Sequence, residues 1–246
     1  MSFLDPVFGP LLQLPLFWAI LILSFAVSLL ITIIYKFTTN QSLMKQLKDE
    51  LKEFQKEMKE LKHDPSKMMA VQKKAMQTNM KYMMHSMRST LITFLPIIFI
   101  FGWMQANLAY QPILPGEEFT AALNFQQNTA GNVTIEIPEG ITLDGSTVKE
   151  VDTSTVKWVL KGKEGEYLLN FDYKGMKYDK DIIITSKQAY KPVLKKINDD
   201  NLKSIQIENQ PIKILNLFGW KVGWLGSYII FSLIFSMVLR KIMKIY

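Results

Sequence analysis

Cysteine is absent from the 246 residues, which excludes disulfides, thiol catalysis and thiolate-held metal. Histidine is nearly absent: His63 and His85 alone make a poor metal site, so no metal or cofactor is expected. Charge is missing from three long stretches, 16–35, 91–108 and 222–239. At about 1.5 Å rise per residue, roughly 20 residues cross a hydrocarbon core of about 30 Å. The first stretch fits outright, and interfacial aromatics extend the other two. They are apolar all round rather than along one stripe, which argues against buried helices of a soluble protein. The first has no basic residue ahead of it and is too long for a signal-peptide core, so it is expected to stay uncleaved. No span contains a Ser/His pair, paired aspartates or a metal-binding histidine motif, so an enzyme is not expected.

The distribution of positive charge then fixes a direction. Residues 1–15 hold no Lys or Arg, whereas residues 36–90 hold twelve basic residues against six acidic ones. Arg240, Lys241 and Lys244 follow the third span without an acid. A plasma-membrane protein with its N-terminus outside and its C-terminus cytoplasmic is the expectation. Trp18, Trp103, Trp220 and Trp224 fall at span ends that this topology places outside, where indole suits the interface.

Between the first two spans, Leu43, Leu47, Leu51, Phe54, Met58 and Leu61 recur at helical spacing. Asp64-Pro65 interrupts the pattern, and Ser66 is placed to cap a second helix. That helix carries Met69, Met76, Met80, Met83 and Met87, spaced seven, four, three and four. An antiparallel helical hairpin is predicted, with Lys and Glu on its outer faces. The methionines read either as the apolar seam between its arms or as a soft surface for varied apolar segments. The Lys-rich faces are ordinarily solvated; beside a membrane they also suit anionic headgroups or ribosomal RNA, and no base-specific DNA readout accompanies them.

Residues 112–211 change character. The runs 119–125, 132–137, 155–161, 166–173, 176–185 and 203–208 read as strands, punctuated by Glu139-Gly140, Asp144-Gly145, 162–165 and Lys174-Gly175. Six or seven short strands suggest a β-sandwich. Its carboxylates are scattered at turns, so the domain reads as structural or interactive.

Polar residues within the spans form two stripes. Ser24, Ser28, Thr32 and Lys36 recur every four residues, as do Tyr228, Ser232, Ser236 and Arg240, and each stripe ends in a cation. For any one serine, helix packing is the plainer explanation. The pairing of the stripes points instead to a polar, partly wet groove open to the cytoplasm, with Thr90 and Thr93 as contributors from the second span.

The predicted fold is therefore a membrane α-helical bundle of three transmembrane helices, a cytoplasmic antiparallel hairpin and an extracytoplasmic β-sandwich-like domain. Its segments are 1–15 outside, 16–35 as the first span, 36–90 as the hairpin and 91–108 as the second span. The β domain takes 109–216, the third span 217–239 and the cytoplasmic tail 240–246.

This layout, with 36–88 as its strongest part, resembles the archaeal YidC-like proteins of the YidC/Oxa superfamily of membrane protein insertases. The resemblance implies an insertase or chaperone that catalyses no reaction and lowers the barrier for polar flanks of a client helix through an inner-leaflet groove. It implies nascent membrane proteins as clients, with the lipid bilayer, the ribosome and small partner subunits as further partners. Here the groove would be lined by Ser24, Ser28, Thr32, Lys36, Thr93, Ser232, Ser236 and Arg240, with the five hairpin methionines receiving clients. A membrane-anchored scaffold, whose external β domain binds a protein partner, is the competing expectation.

Overall fold

The computed structural model describes residues 3–245; residues 1, 2 and 246, at the ends of the N-terminal segment and the tail, lie outside the described residues. The chain forms two compact units. One comprises the N-terminal segment to Leu16 with Trp103–Trp224, the other Phe17–Gly102 with the chain from Leu225 onward.

In chain order, a short helix α1 (Asp5–Phe8) and a 3-10 turn (Gly9–Gln13) precede α2 (Leu16–Thr38). Helix α3 (Gln41–Glu60) follows, then a 3-10 turn (Leu61–His63) and α4 (Pro65–Leu108). The strands are β1 (Glu118–Phe125), β2 (Asn132–Glu136), β3 (Ile141–Asp144), β4 (Val148–Glu150), β5 (Thr155–Gly162), β6 (Gly165–Tyr173), β7 (Met176–Ile184), β8 (Leu194–Lys196), β9 (Leu202–Ile207), β10 (Lys213–Leu217) and β11 (Trp220–Gly223). Helix α5 (Trp224–Ile242) closes the chain. Among the described residues, α2, α4 and α5 are the three helices long and apolar enough to cross a membrane.

Several boundaries differ from the sequence reading. The second arm of the hairpin and the second apolar stretch are one continuous helix of 44 residues, with Pro96 inside it. Its N-cap is Asp64 rather than Ser66: the Asp64 carboxylate accepts from the Lys67 N–H at 3.1 Å. Pro65 then occupies the first helical position, where a missing N–H costs nothing. Asn40 caps α3 in the same way, accepting from the Leu43 N–H at 3.2 Å. The third long helix starts at Trp224 instead of 217 and runs through Ile242 into the segment read as a tail, because 213–223 is a β-hairpin.

The β unit is a sandwich of two antiparallel sheets, ordered β3-β5-β1-β9-β8 and β4-β2-β6-β7. Alternation builds it: Phe119, Ala121, Leu123 and Phe125 of β1 point inward with Val156, Trp158 and Leu160 of β5. Val133 and Ile135, Leu169, Phe171 and Tyr173 face them from the other sheet. The rings of Trp158 and Phe171 meet at 5.7 Å, and those of Phe125 and Tyr173 at 5.1 Å. The turn Lys174-Gly175, with φ of 52° and 82°, closes β6 onto β7, and Asp172 accepts from the Gly175 N–H at 3.0 Å.

Strand β7 is an edge, and Lys180 lies on its inward face beside Ile182 and Ile184. Its Nζ reaches the Asp181 carbonyl at 2.7 Å, and Lys195 of β8 covers the Asp179 carbonyl at 3.0 Å. An inward-pointing lysine blunts an edge against pairing with another chain. Burial holds the Lys180 ammonium below its usual pKa, so folding disfavours its protonated form. Lys180→Met is therefore expected to stabilise the β unit at neutral pH by on the order of 1 kcal/mol. The gain should fade as pH rises through the folded pKa and vanish above the unfolded value of about 10.4. Thermal unfolding across that range measures it, and light scattering should show the variant self-associating through β7.

The ends of the β unit are pinned together. Tyr110 bridges Pro211, the Gln111 N–H donates to the Gln210 carbonyl at 2.8 Å, and the Ile212 N–H donates to that of Ala109 at 3.0 Å. The last turn of α4 is capped from the loop after β7. Tyr190 donates to the Gln105 carbonyl at 2.5 Å and accepts from the Ala109 N–H at 2.9 Å. Gln188 donates to the carbonyls of Asn107 and Tyr110, both at 2.9 Å. These side chains satisfy carbonyls that a helix terminus leaves without partners. Burial pushes the Tyr190 phenol up to about 12, so it remains a donor at physiological pH.

Candidate functional site in the helical unit

Helices α2 and α5 lie side by side and run the same way, since their contacts advance together along both. Phe17 meets Phe231 at 5.7 Å, Phe25 meets Phe235 at 5.3 Å, and the Arg240 guanidinium sits 5.2 Å from the Tyr35 ring. Helix α4 runs against them: Phe101 meets Tyr228 at 4.9 Å, and at the other end Thr38 donates to Ser89 at 2.7 Å. Lys36 and Arg240 thus share one end of the unit with the Tyr35–Tyr82 hydrogen bond. Tyr35, Thr38, Tyr82 and Ser89 were not among the expected site residues. The sequence does carry one sign of them: Ser89 lies four residues before Thr93, on the same helix face.

The two hydroxyl stripes come together. Ser24, Ser28 and Thr32 are buried, and Ser28 Oγ donates to the Ser232 carbonyl at 3.4 Å. Ser232 and Ser236 are half-buried, whereas Lys36 and Arg240 are exposed. Thr93 is buried but turned onto its own helix, donating to the Thr90 carbonyl at 2.9 Å, and Thr90 itself is exposed. Thr32 likewise donates to the Ser28 carbonyl at 2.6 Å. Such back-bonding satisfies a threonine without any partner helix.

Ser24 differs. Its Oγ is fully buried with no hydrogen-bond partner, and Ser232 Oγ, beside the Tyr228 hydroxyl, makes none of good geometry. A buried hydroxyl left unpaired costs about 1–3 kcal/mol. Admitting water beside Ser24 would remove that cost there.

The methionines are placed against the plainer of their two readings. Met69, Met76, Met80, Met83 and Met87 are all more than half exposed, Met76 at 66%. The shielded face of α4 is made instead by Val71, Thr78, Ser89 and Thr93, with Ala75, Tyr82 and Ser86 half-buried. Small and polar side chains pack inward because they let neighbouring helices approach, and the bulkier thioethers are displaced outward. Their face does not stop where the charge stops. At 100° per residue, Met69, Met76, Met80, Met83, Met87, Leu91, Phe94 and Ile98 fall within roughly 80° of one another, and all are exposed. In the first arm, Leu47 of the expected stripe is buried and Leu43, Leu51, Phe54, Met58 and Leu61 are half-buried, while Met44, outside that stripe, is wholly buried.

Among the tryptophans, Trp18 and Trp220 are exposed. Trp103 is not: it is 3% exposed, stacked on Phe8 at 5.3 Å, and donates to Asp5 at 2.8 Å. It fastens α1 to the end of α4. No group of three or more His, Cys, Asp or Glu side chains able to hold a metal occurs among the described residues.

Residues 2–159, more than half of the chain, match the family described as integral membrane protein, EMC3/TMCO1-like. The chain belongs to that family. The EMC3/TMCO1-like proteins are part of the Oxa1/YidC/Alb3 insertase-related superfamily and are linked to membrane protein insertion, which implies membrane-protein clients and a membrane setting. The match takes in α1 to α4 and the first strands, and ends before α5. No curated protein and no solved structure matches the chain.

Proposed function

We propose that this EMC3/TMCO1-like protein is a membrane protein insertase or chaperone of the archaeal YidC-like kind, with no chemical reaction of its own. It spans the plasma membrane three times through α2, α4 and α5, with the N-terminus and β unit outside and the α3–α4 arms cytoplasmic. What carries the reading is the unbroken exposed face of α4, thioether in its charged arm and hydrocarbon in its apolar half. An apolar client helix, nascent or released from a ribosome, would be held by Met69–Met87 side chains and passed along Leu91, Phe94 and Ile98 into lipid without meeting water. Its polar flank would follow between the hydroxyl stripes. A charged side chain at the bilayer centre costs about 2.5–3.5 kcal/mol on insertion scales, and a hydrated path thins that barrier. Small partner subunits would complete the groove.

Cysteine substitution tests the path, and the absence of native cysteine keeps the assay clean. Ser236→Cys and Ser28→Cys should react with a membrane-impermeant thiol reagent supplied from the cytoplasm. Ser28 should react more slowly, because it is covered until α2 and α5 part. Leu29→Cys and Leu233→Cys should react far more slowly than either, since thiolate formation needs water. Equal protection of all four positions would leave the stripes as packing and remove the groove.

A further inference from the structure

The β10–β11 hairpin is the least supported element of the β unit. Its two strands pair only with each other among the described residues, and isolated two-stranded hairpins are marginal in water. Ile212 and Val222 are buried at its base, but Leu217, Phe218 and Trp220 at its tip are exposed, Phe218 completely. The turn is Phe218-Gly219, with φ of 51° and 92°, fastened by the Gly219 N–H donating to Asn216 at 3.0 Å. Asn or Asp is the usual residue at the first of these positions; a bulky aromatic in the left-handed region is disfavoured. The tip holds an aromatic where local geometry argues against one and where nothing in the unit covers it.

Its position along the chain says what does. Gly223 is followed directly by α5, the third apolar helix, so Phe218 lies six residues from Trp224 and within about 20 Å of it at full extension. Lys213 and Lys221 are exposed on the hairpin, and no Asp or Glu occurs after Glu208. Amphipathic aromatics with flanking cations suit the headgroup layer of a bilayer.

We propose that the β10–β11 hairpin lies on the membrane and seats Phe218 and Trp220 in the headgroup layer of the leaflet on the β-unit side, with Lys213 and Lys221 against lipid phosphates. The hairpin is then a second foothold that fixes the entry of α5, independent of any client. The full chain carrying Phe218→Cys labelled with the fluorophore NBD, in phosphatidylcholine vesicles with and without phosphatidylglycerol, tests this. Emission should shift to the blue and be quenched at least twofold by lipids bearing a nitroxide just below the headgroup. A label at Asp152→Cys, on an exposed loop of the sandwich, should show neither effect. Leu217→Cys provides a second reporter should the turn not tolerate labelling. Trp220→Asp should abolish quenching at position 218 while thermal unfolding of the sandwich is unchanged. Labels at 217 and 218 that stay as water-exposed as the one at 152 would overturn the proposal and turn the tip towards a protein partner.

Discussion

Replacing Met76, Met80 and Met83 together by serine is expected to lower photocrosslinking of apolar client segments to α4 at least tenfold. A fully buried methionine contributes about 1.5–3 kcal/mol, and these side chains leave more than half of their surface open to a client. Three contacts of about 1 kcal/mol each correspond to roughly a hundredfold in affinity, part of which Met69 and Met87 would retain. Stability should change little, because none of the three packs inward and serine costs a helix only about 0.5 kcal/mol per position. Circular dichroism checks that. Leucine at the same positions should preserve capture while narrowing the range of clients, since branching at Cγ removes the adaptability of an unbranched thioether. Undiminished capture by the serine variant would reduce the face to an incidental surface.

Excising residues 112–209 and joining the cut ends through two or three glycines is expected to leave client capture by the helical unit within about twofold of the intact protein. The geometry permits the deletion because Gln111 and Gln210 are already hydrogen-bonded neighbours. Paired residues of antiparallel strands have Cα atoms about 5 Å apart, a gap that a short turn closes. The variant loses the Gln188 and Tyr190 caps on the last turn of α4, so some fraying there is anticipated. Complete loss of function despite correct membrane integration would favour the competing scaffold reading, in which the β unit is the working part. Crosslinking yield measured beside protease protection of the shortened chain separates the two.

Period and charge made most of this architecture legible. The three apolar helices, the first arm of the hairpin and the six longer strands follow from runs of uncharged residues, helical spacing and two-residue alternation. Short edge strands did not: β3, β4 and β8 have only three or four residues each, too few to alternate, and their pairing is dictated by neighbours distant in sequence. Hairpin β10–β11 was hidden by its own apolarity, since Leu217, Phe218 and Trp220 read as the lead-in to a span. Gly219 is a turn residue with φ of 92°, a role that the apolar run around it does not announce. The orientation of the Met stripe was the subtler difficulty. Hydrophobicity ranks methionine above threonine and alanine as a seam residue, but close helix approach favours small side chains, and Thr78, Ser89 and Thr93 took the shielded face. For the hydroxyl stripes, spacing identified residues that meet. It could not say that Thr32 is satisfied within its own helix and Ser24 is left unpaired.

A surface of thioethers is chemically unlike one of hydrocarbons. Peroxide and related oxidants convert methionine to its sulfoxide, a polar and chiral group, and the aqueous arm of α4 offers Met69, Met76, Met80, Met83, Met84 and Met87 openly to them. Met44 and Met104, both wholly enclosed, are sheltered from the same attack. Oxidative stress would therefore fall first on the exposed thioether face and spare the enclosed methionines, leaving a folded protein with a wettable arm. Reductases that act on methionine sulfoxide would restore it, so the state of this face is tied to the redox balance of the compartment it projects into.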